Sequence, residues 1–162
     1  MSTDFLTAAE RERLNRFPPQ IPDEDLSAFF LLSDADQQAI NQHREAHTRL
    51  GFALQLCALR YLGFAPDDLA TAPAAAVKYL AQQLGVAPQA LQVYGGRRPT
   101  RTVHFQQVQL HLHFRLATPL DMYALQTWLV ERALEHDKPT LLLQLACDKL
   151  RREQIGVCSG YV

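Results

Sequence analysis

Between Ala46 and Leu62 the residues Leu50, Ala53, Leu54, Cys57, Ala58, Tyr61 and Leu62 recur at three- and four-residue spacing. That spacing puts them on one face of an α-helix, and Gly63 stands where such a helix must stop. A stripe this regular has to be buried, so the rest of the chain must supply helices to cover it. The punctuation fits. Thr7 can cap a helix through Phe17, with Glu10 completing a capping box, before Pro18, Pro19 and Pro22 break it. Asp23 to Leu31 reads as a short helix with Leu26, Phe29 and Phe30 inward, and Ser33 caps the next, from Asp34 to His43.

Beyond Gly63, the segment Phe64-Ala-Pro-Asp-Asp-Leu69 reads as a linker. Helices are then expected from Pro73 to Leu84, from Pro88 to Tyr94 and from Thr100 to about Arg115, with Pro119 and Pro139 each in the first turn of a further helix. From Val108 to Leu116 apolar and polar residues alternate as in a half-buried strand. Helical spacing through Phe105, Val108, Leu112 and Leu116 is also available, and with no obvious partner strand the helix is favoured, because a lone strand cannot satisfy its backbone. The expected fold class is all-α, with two small helical subdomains of helix-turn-helix type packed together, residues 1–65 and 66–162.

Composition limits the function. A chain of 162 residues that is 48% apolar can bury a core but is too short for a complete multidomain enzyme. Its net charge of −1 argues against a nucleic-acid partner until the charges are placed. Residues 1–68 hold 11 acids and 6 bases, residues 121–162 hold 6 and 5, and residues 69–120 hold 5 bases and no acid at all. One reading is a neutral stretch with solvated bases; the other is a surface cleared of carboxylates for phosphate. Cys57, Cys147 and Cys158 have no disulfide or zinc spacing, so Cys57 and Cys147 read as small core residues and no metal or cofactor is expected. With no apolar leader in the first ten residues and no membrane-length run, a cytoplasmic setting is expected.

The most specific local pattern is Val77 to Gly96, which fits a helix-turn-helix. Ala81 is small where two helices cross, Gly85 stands at the turn, and Leu80, Leu84, Val86, Leu91 and Tyr94 take the buried positions. Any tight helical hairpin would need the same residues. The sequel Gly95-Gly96-Arg97-Arg98-Pro99-Thr100-Arg101 adds phosphate-binding groups at a new helix start. On the DNA reading Lys78, Arg97, Arg98, Thr100 and Arg101 contact phosphates, while Gln89 and Gln92 reach base edges. Arg44 and Arg49 are lesser candidates, equally readable as solvated or salt-bridged arginines.

Competing chemistries are poorly supported. His111 and His113 lack further metal ligands, and His43 with His47 reads as solvated helix surface. Asp67-Asp68 reads as an exposed pair capping the following turn, and no nucleophile elbow is present.

Several blocks resemble the N-terminal region of the replicative Tn-three-type transposases. They are Asp4-Phe-Leu-Thr-x-x-Glu10-Arg, His47-x-Arg49-Leu-Gly-Phe-Ala-Leu-Gln-Leu-Cys-Ala-Leu-Arg60-Tyr-Leu-Gly63, Val77-x-Tyr-Leu-Ala-x-Gln-Leu-Gly-Val, Thr100-Arg101-x-x-His104 and Trp128-Leu-x-x-Arg132-Ala. The similarity runs from residue 4 to about 150. Thr48 departs from an expected asparagine, and the end from Ile155 to Val162 drifts from the pattern. The resemblance implies a helical region that grips double-stranded DNA at the transposon's terminal inverted repeats, with Arg49, Arg60, Arg101 and His104 in the matching blocks. It also implies that the catalytic acidic-triad domain lies outside this chain, which would be a truncated reading frame or an excised fragment. Two other readings stay open: a free-standing helix-turn-helix regulator, which would need self-association to read a palindromic site, and a helical protein-interaction module with no DNA.

Overall fold

A computed structural model describes residues 7–9, 12, 15–94 and 98–156. The fold is all-α apart from one very short strand pair. Its helices are α1 (Asp23–Phe29), α2 (Asp34–Asn41), α3 (Ala46–Leu62), α4 (Ala74–Leu84), α5 (Arg98–His111), α6 (Pro119–Ala133) and α7 (Pro139–Arg152). Two 3₁₀ helices, Leu69–Thr71 and Pro88–Val93, flank α4. Ala8, Ala9 and Glu12 are helical too, whereas the expected capping partner Glu10 lies outside the described residues, as does Cys158.

α3 is the axis of the molecule. The sequence stripe assigned it one buried face, but every residue from Leu50 to Leu59 is buried, Gly51 and Gln55 included. The reason is tertiary: α1, α2, α4, α5, α7 and both 3₁₀ helices all pack on it, so it has no solvent face along those turns. The buried cluster runs without a break from Phe17 through Phe30, Ile40 and the α3 residues to Leu80, Leu84 and Val108.

Local chemistry sets the element ends. Ser33 and Asp36 form a reciprocal capping box at α2, and Thr118 with Asp121 forms another at α6. α3 ends at Gly63 and α4 at Gly85, both with left-handed backbone, φ 84° and 65°. At Gly85 the amides of Gly85 and Val86 return to the carbonyls of Gln82 and Ala81, which closes the helix in a Schellman turn. Asp68 caps the first 3₁₀ helix by accepting from the Ala70 amide at 2.9 Å. Gln83 stitches α4 to the α1–α2 link, donating to the Phe30 carbonyl and accepting from the Leu32 amide, both at 2.9 Å.

Two expectations change. Pro88–Val93 is a 3₁₀ helix, not the expected α-helix to Tyr94. Six residues are too few for a stable α-helix, and the three-residue repeat aligns Leu91 with Tyr94 so that both pack on the core. The alternating stretch Val108–Leu116 divides: α5 runs only to His111, His113 turns left-handed at φ 59°, and Arg115–Leu116 form β1. A partner strand does exist. It is β2, Ile155–Gly156, paired in parallel with Arg115 opposite Ile155 and Leu116 opposite Gly156. Because it follows α7 with no alternating run of its own, nothing local marks it.

Candidate nucleic-acid interface

The acid-free segment places some of its expected contacts at the surface and uses others internally. Lys78 on α4 and Gln89 and Gln92 on the second 3₁₀ helix are exposed. Gln82, one turn beyond Lys78, is exposed beside them and was not anticipated; its spacing from Lys78 is the signal that could have found it. Thr100, in the first turn of α5, is half-buried, and Arg44, just before α3, is exposed. Arg97 lies outside the described residues, and of Arg98 only the backbone, opening α5, is described.

Arg49 and Arg101 serve the fold. Arg49 donates to Asn41 Oδ1 at 2.8 Å and to the Leu84 carbonyl at 3.3 Å, tying α2 and α3 to the end of α4. Arg101 donates to the Asp67 carbonyl, and its own carbonyl accepts from Gln55 Nε2 at 3.3 Å. The buried Nε atoms of both arginines have no hydrogen-bond partner among the described residues. Arg60 grips Asp36 with one guanidinium nitrogen, 3.0 and 2.9 Å from the two carboxylate oxygens.

His104 is buried, not at the surface. Its Nδ1 lies 2.8 Å from the Tyr94 hydroxyl, and its ring sits 4.5 Å from His43 and 5.7 Å from Phe52. Burial, reinforced by His43, lowers the His104 pKa to about 4, and burial pushes the Tyr94 hydroxyl well up. A protonated hydroxyl and a neutral imidazole thus share this hydrogen bond. Gly51 permits this cluster, since a Cβ there would fall 2.2 Å from Tyr94 Cγ. His43, expected on a solvated face, instead packs 4.6 Å from the Phe52 ring with its pKa lowered by burial. The tertiary stack hides it. His47 pairs with Glu45 at 3.1 Å.

His111 bonds Asp36 Oδ1 through Nε2 at 2.8 Å, whereas His113 is exposed. Cys57 is fully buried, which pushes its thiol up to about 12 and makes it a core residue; Cys147 is half-buried. No group of three or more His, Cys, Asp or Glu that could hold a metal occurs among the described residues. No described helix is long and apolar enough to cross a membrane.

The sequence that builds this arrangement matches a known family. A family described as "Domain of unknown function (DUF4158)" matches residues 5–159. The chain belongs to the DUF4158 family. Over 150 residues, 93% of its length, this DUF4158 chain is 34% identical to the transposase for transposon Tn501 of Pseudomonas aeruginosa. It is 31% identical over 154 residues to the transposase for Tn1546 of Enterococcus faecium, and 28% identical over 158 residues to that for transposon gamma-delta of Escherichia coli strain K12. These matches cover 94% and 96% of the chain. The DUF4158 chain spans about 15% of the length of these transposases.

Proposed function

We propose that this DUF4158 chain binds double-stranded DNA at the terminal inverted repeats of a transposon, as a non-catalytic part of a transposase acting in the cytoplasm. The observation that carries the reading is the similarity of 93% or more of the chain to the transposases for Tn501, Tn1546 and gamma-delta. The surface chemistry is compatible with it. Lys78 and Gln82 are exposed on α4, and Gln89 and Gln92 on the 3₁₀ helix that follows it, inside a stretch with no carboxylate. Lysine contributes phosphate affinity, and glutamine can pair with the N6 and N7 edge of adenine in the major groove. The basic run Arg97-Arg98-Pro99-Thr100-Arg101 extends the same stretch, and residues 1–65 and 66–162 are the proposed subdomains that share the DNA.

A gel shift on a duplex carrying the terminal inverted repeat, against a scrambled duplex and at two salt concentrations, tests this. Tighter, salt-sensitive retention of the repeat is expected. Replacing Lys78, Gln89 and Gln92 together with Ala should weaken it by about tenfold or more, at roughly 1–3 kcal/mol for each base pairing removed, with the melting temperature unchanged. Equal retention of the two duplexes by the wild-type chain overturns the reading.

A further inference from the structure

The groove between α6 and α7 collects cations that the proposed surface of Lys78, Gln82, Gln89 and Gln92 does not use. Trp128, the single tryptophan of the sequence, lies half-buried on α6 at the floor of an opening of about 410 Å³. Arg132 and Lys149 both lie over its ring at 5.3 Å from the centroid. Arg152 and Glu153 complete the lining. Three cations thus face one carboxylate.

The ring does more than pack. A guanidinium and an ammonium held over an indole keep their charge while losing much of their side-chain freedom, so an incoming anion does not have to order them. Arg152 is exposed; its Nε donates to the Asp148 carbonyl at 3.3 Å, and it forms no ion pair among the described residues. The competing acids are weakly placed. Glu153 contacts Lys149 one helical turn away, and Glu135 lies 3.4 Å from Arg132 at an exposed position, where such pairs hold little. Asp121, at the far end of the same groove, is occupied by Arg115 at 2.6 and 2.8 Å.

We propose that this groove is a second phosphate-binding contact, in which Arg132, Lys149 and Arg152, arranged around Trp128, hold the backbone of duplex DNA. The proposal rests on the DNA-binding reading above and adds a second surface to it. Phosphate suits the donor set, because a guanidinium matches two phosphate oxygens at once and the ammonium supplies a further donor. Base stacking does not suit it, since Arg132 and Lys149 already lie over the ring. Binding displaces Glu153 from Lys149.

Because Trp128 is the only tryptophan, its fluorescence reports on this groove. The wild-type chain is titrated with an inverted-repeat duplex, with inorganic tripolyphosphate and with poly-glutamate, and compared with Lys149→Ala/Arg152→Ala and Glu153→Gln. The duplex and tripolyphosphate should shift Trp128 emission. The double variant should bind duplex about tenfold or more weakly, with a salt slope lower by about 1 for each phosphate no longer neutralised. Glu153→Gln should bind more tightly, an outcome that loss of folding cannot mimic. Duplex binding with silent Trp128 emission and wild-type affinity in the double variant overturns the groove and leaves the proposed function standing. A response to tripolyphosphate that the double variant loses, without duplex binding by any variant, keeps the anion site and overturns its DNA partner together with the proposed function. A response to poly-glutamate alone overturns the proposal in favour of an acidic protein.

Discussion

Buried polar residues in this molecule are joints between helices. Asp36, 2% exposed, receives the Ser33 amide at 3.0 Å, the Arg60 guanidinium and His111, and so binds α2, α3 and α5 at one carboxylate. Burial alone would raise its pKa, but the hydrogen bonds from His111, Ser33 and Arg60 outweigh burial and hold it below the usual value. Its stabilising contribution is present above the ordinary carboxylate range and is lost only as the pH falls through that lowered pKa. The Tyr94–His104–His43 cluster responds at higher pH. His104 has a folded pKa of about 4 against 6.5 when free, so below pH 6.5 the unfolded chain takes up a proton that the folded chain refuses. Stability is therefore complete above about 6.5 and declines toward pH 4. The groups facing His104 are His43, the Tyr94 hydroxyl and Phe52, with Arg101 acting on Tyr94, and none of them offers a negative charge to offset protonation. Thermal melts between pH 4 and 7 should show this decline in the wild type and a flatter profile in His104→Gln. Parallel profiles would assign the decline elsewhere.

The helix ends distinguish backbone strain from crowding. Gly63 and Gly85 both need a left-handed backbone, where a Cβ costs roughly 1–2 kcal/mol. Their surroundings differ. A Cβ at Gly63 would lie 3.1 Å from Arg151 Cβ and 3.3 Å from the Cys147 carbonyl, whereas nothing lies within 4 Å of one at Gly85. Urea unfolding should therefore show Gly63→Ala costing more than Gly85→Ala, with Gly85→Ala near the strain value alone; equal losses would mean that α7 yields freely. The same neighbours explain how α7 is held, with Arg151 donating to the Tyr61 carbonyl beside the end of α3.

Across the whole molecule, burial is concentrated on one side. The core cluster ends at Val108, and α6 contributes only Leu125 to the buried residues while Leu120, Tyr123 and Val130 stay exposed. What ties α6 to the rest is α7, the β1–β2 pairing and the ion pair of Arg115 with Asp121. Hydrogen exchange should be slowest for the amides of α3 from Leu50 to Leu59 and much faster in α6, since local opening there exposes little apolar surface. Protection of α6 equal to that of α3 would show that both open only in one global step.

Much of the helical framework was legible in the sequence because it depends on residues within a turn or two: the Ser33 cap, the glycines at 63 and 85, the prolines at 119 and 139. So was the family resemblance, carried by unbroken blocks of residues. Only the tertiary structure decided which of the expected DNA-facing side chains meet solvent. Lys78, Gln89 and Gln92 do, while Arg49, Arg101 and His104 are drawn inward by carbonyls and by Tyr94, partners distant in sequence or set by packing. The burial of α3 all round and the pairing of Arg115–Leu116 with Ile155–Gly156 have the same origin. A residue's spacing assigns it a helix face, but what covers that face belongs to the rest of the chain.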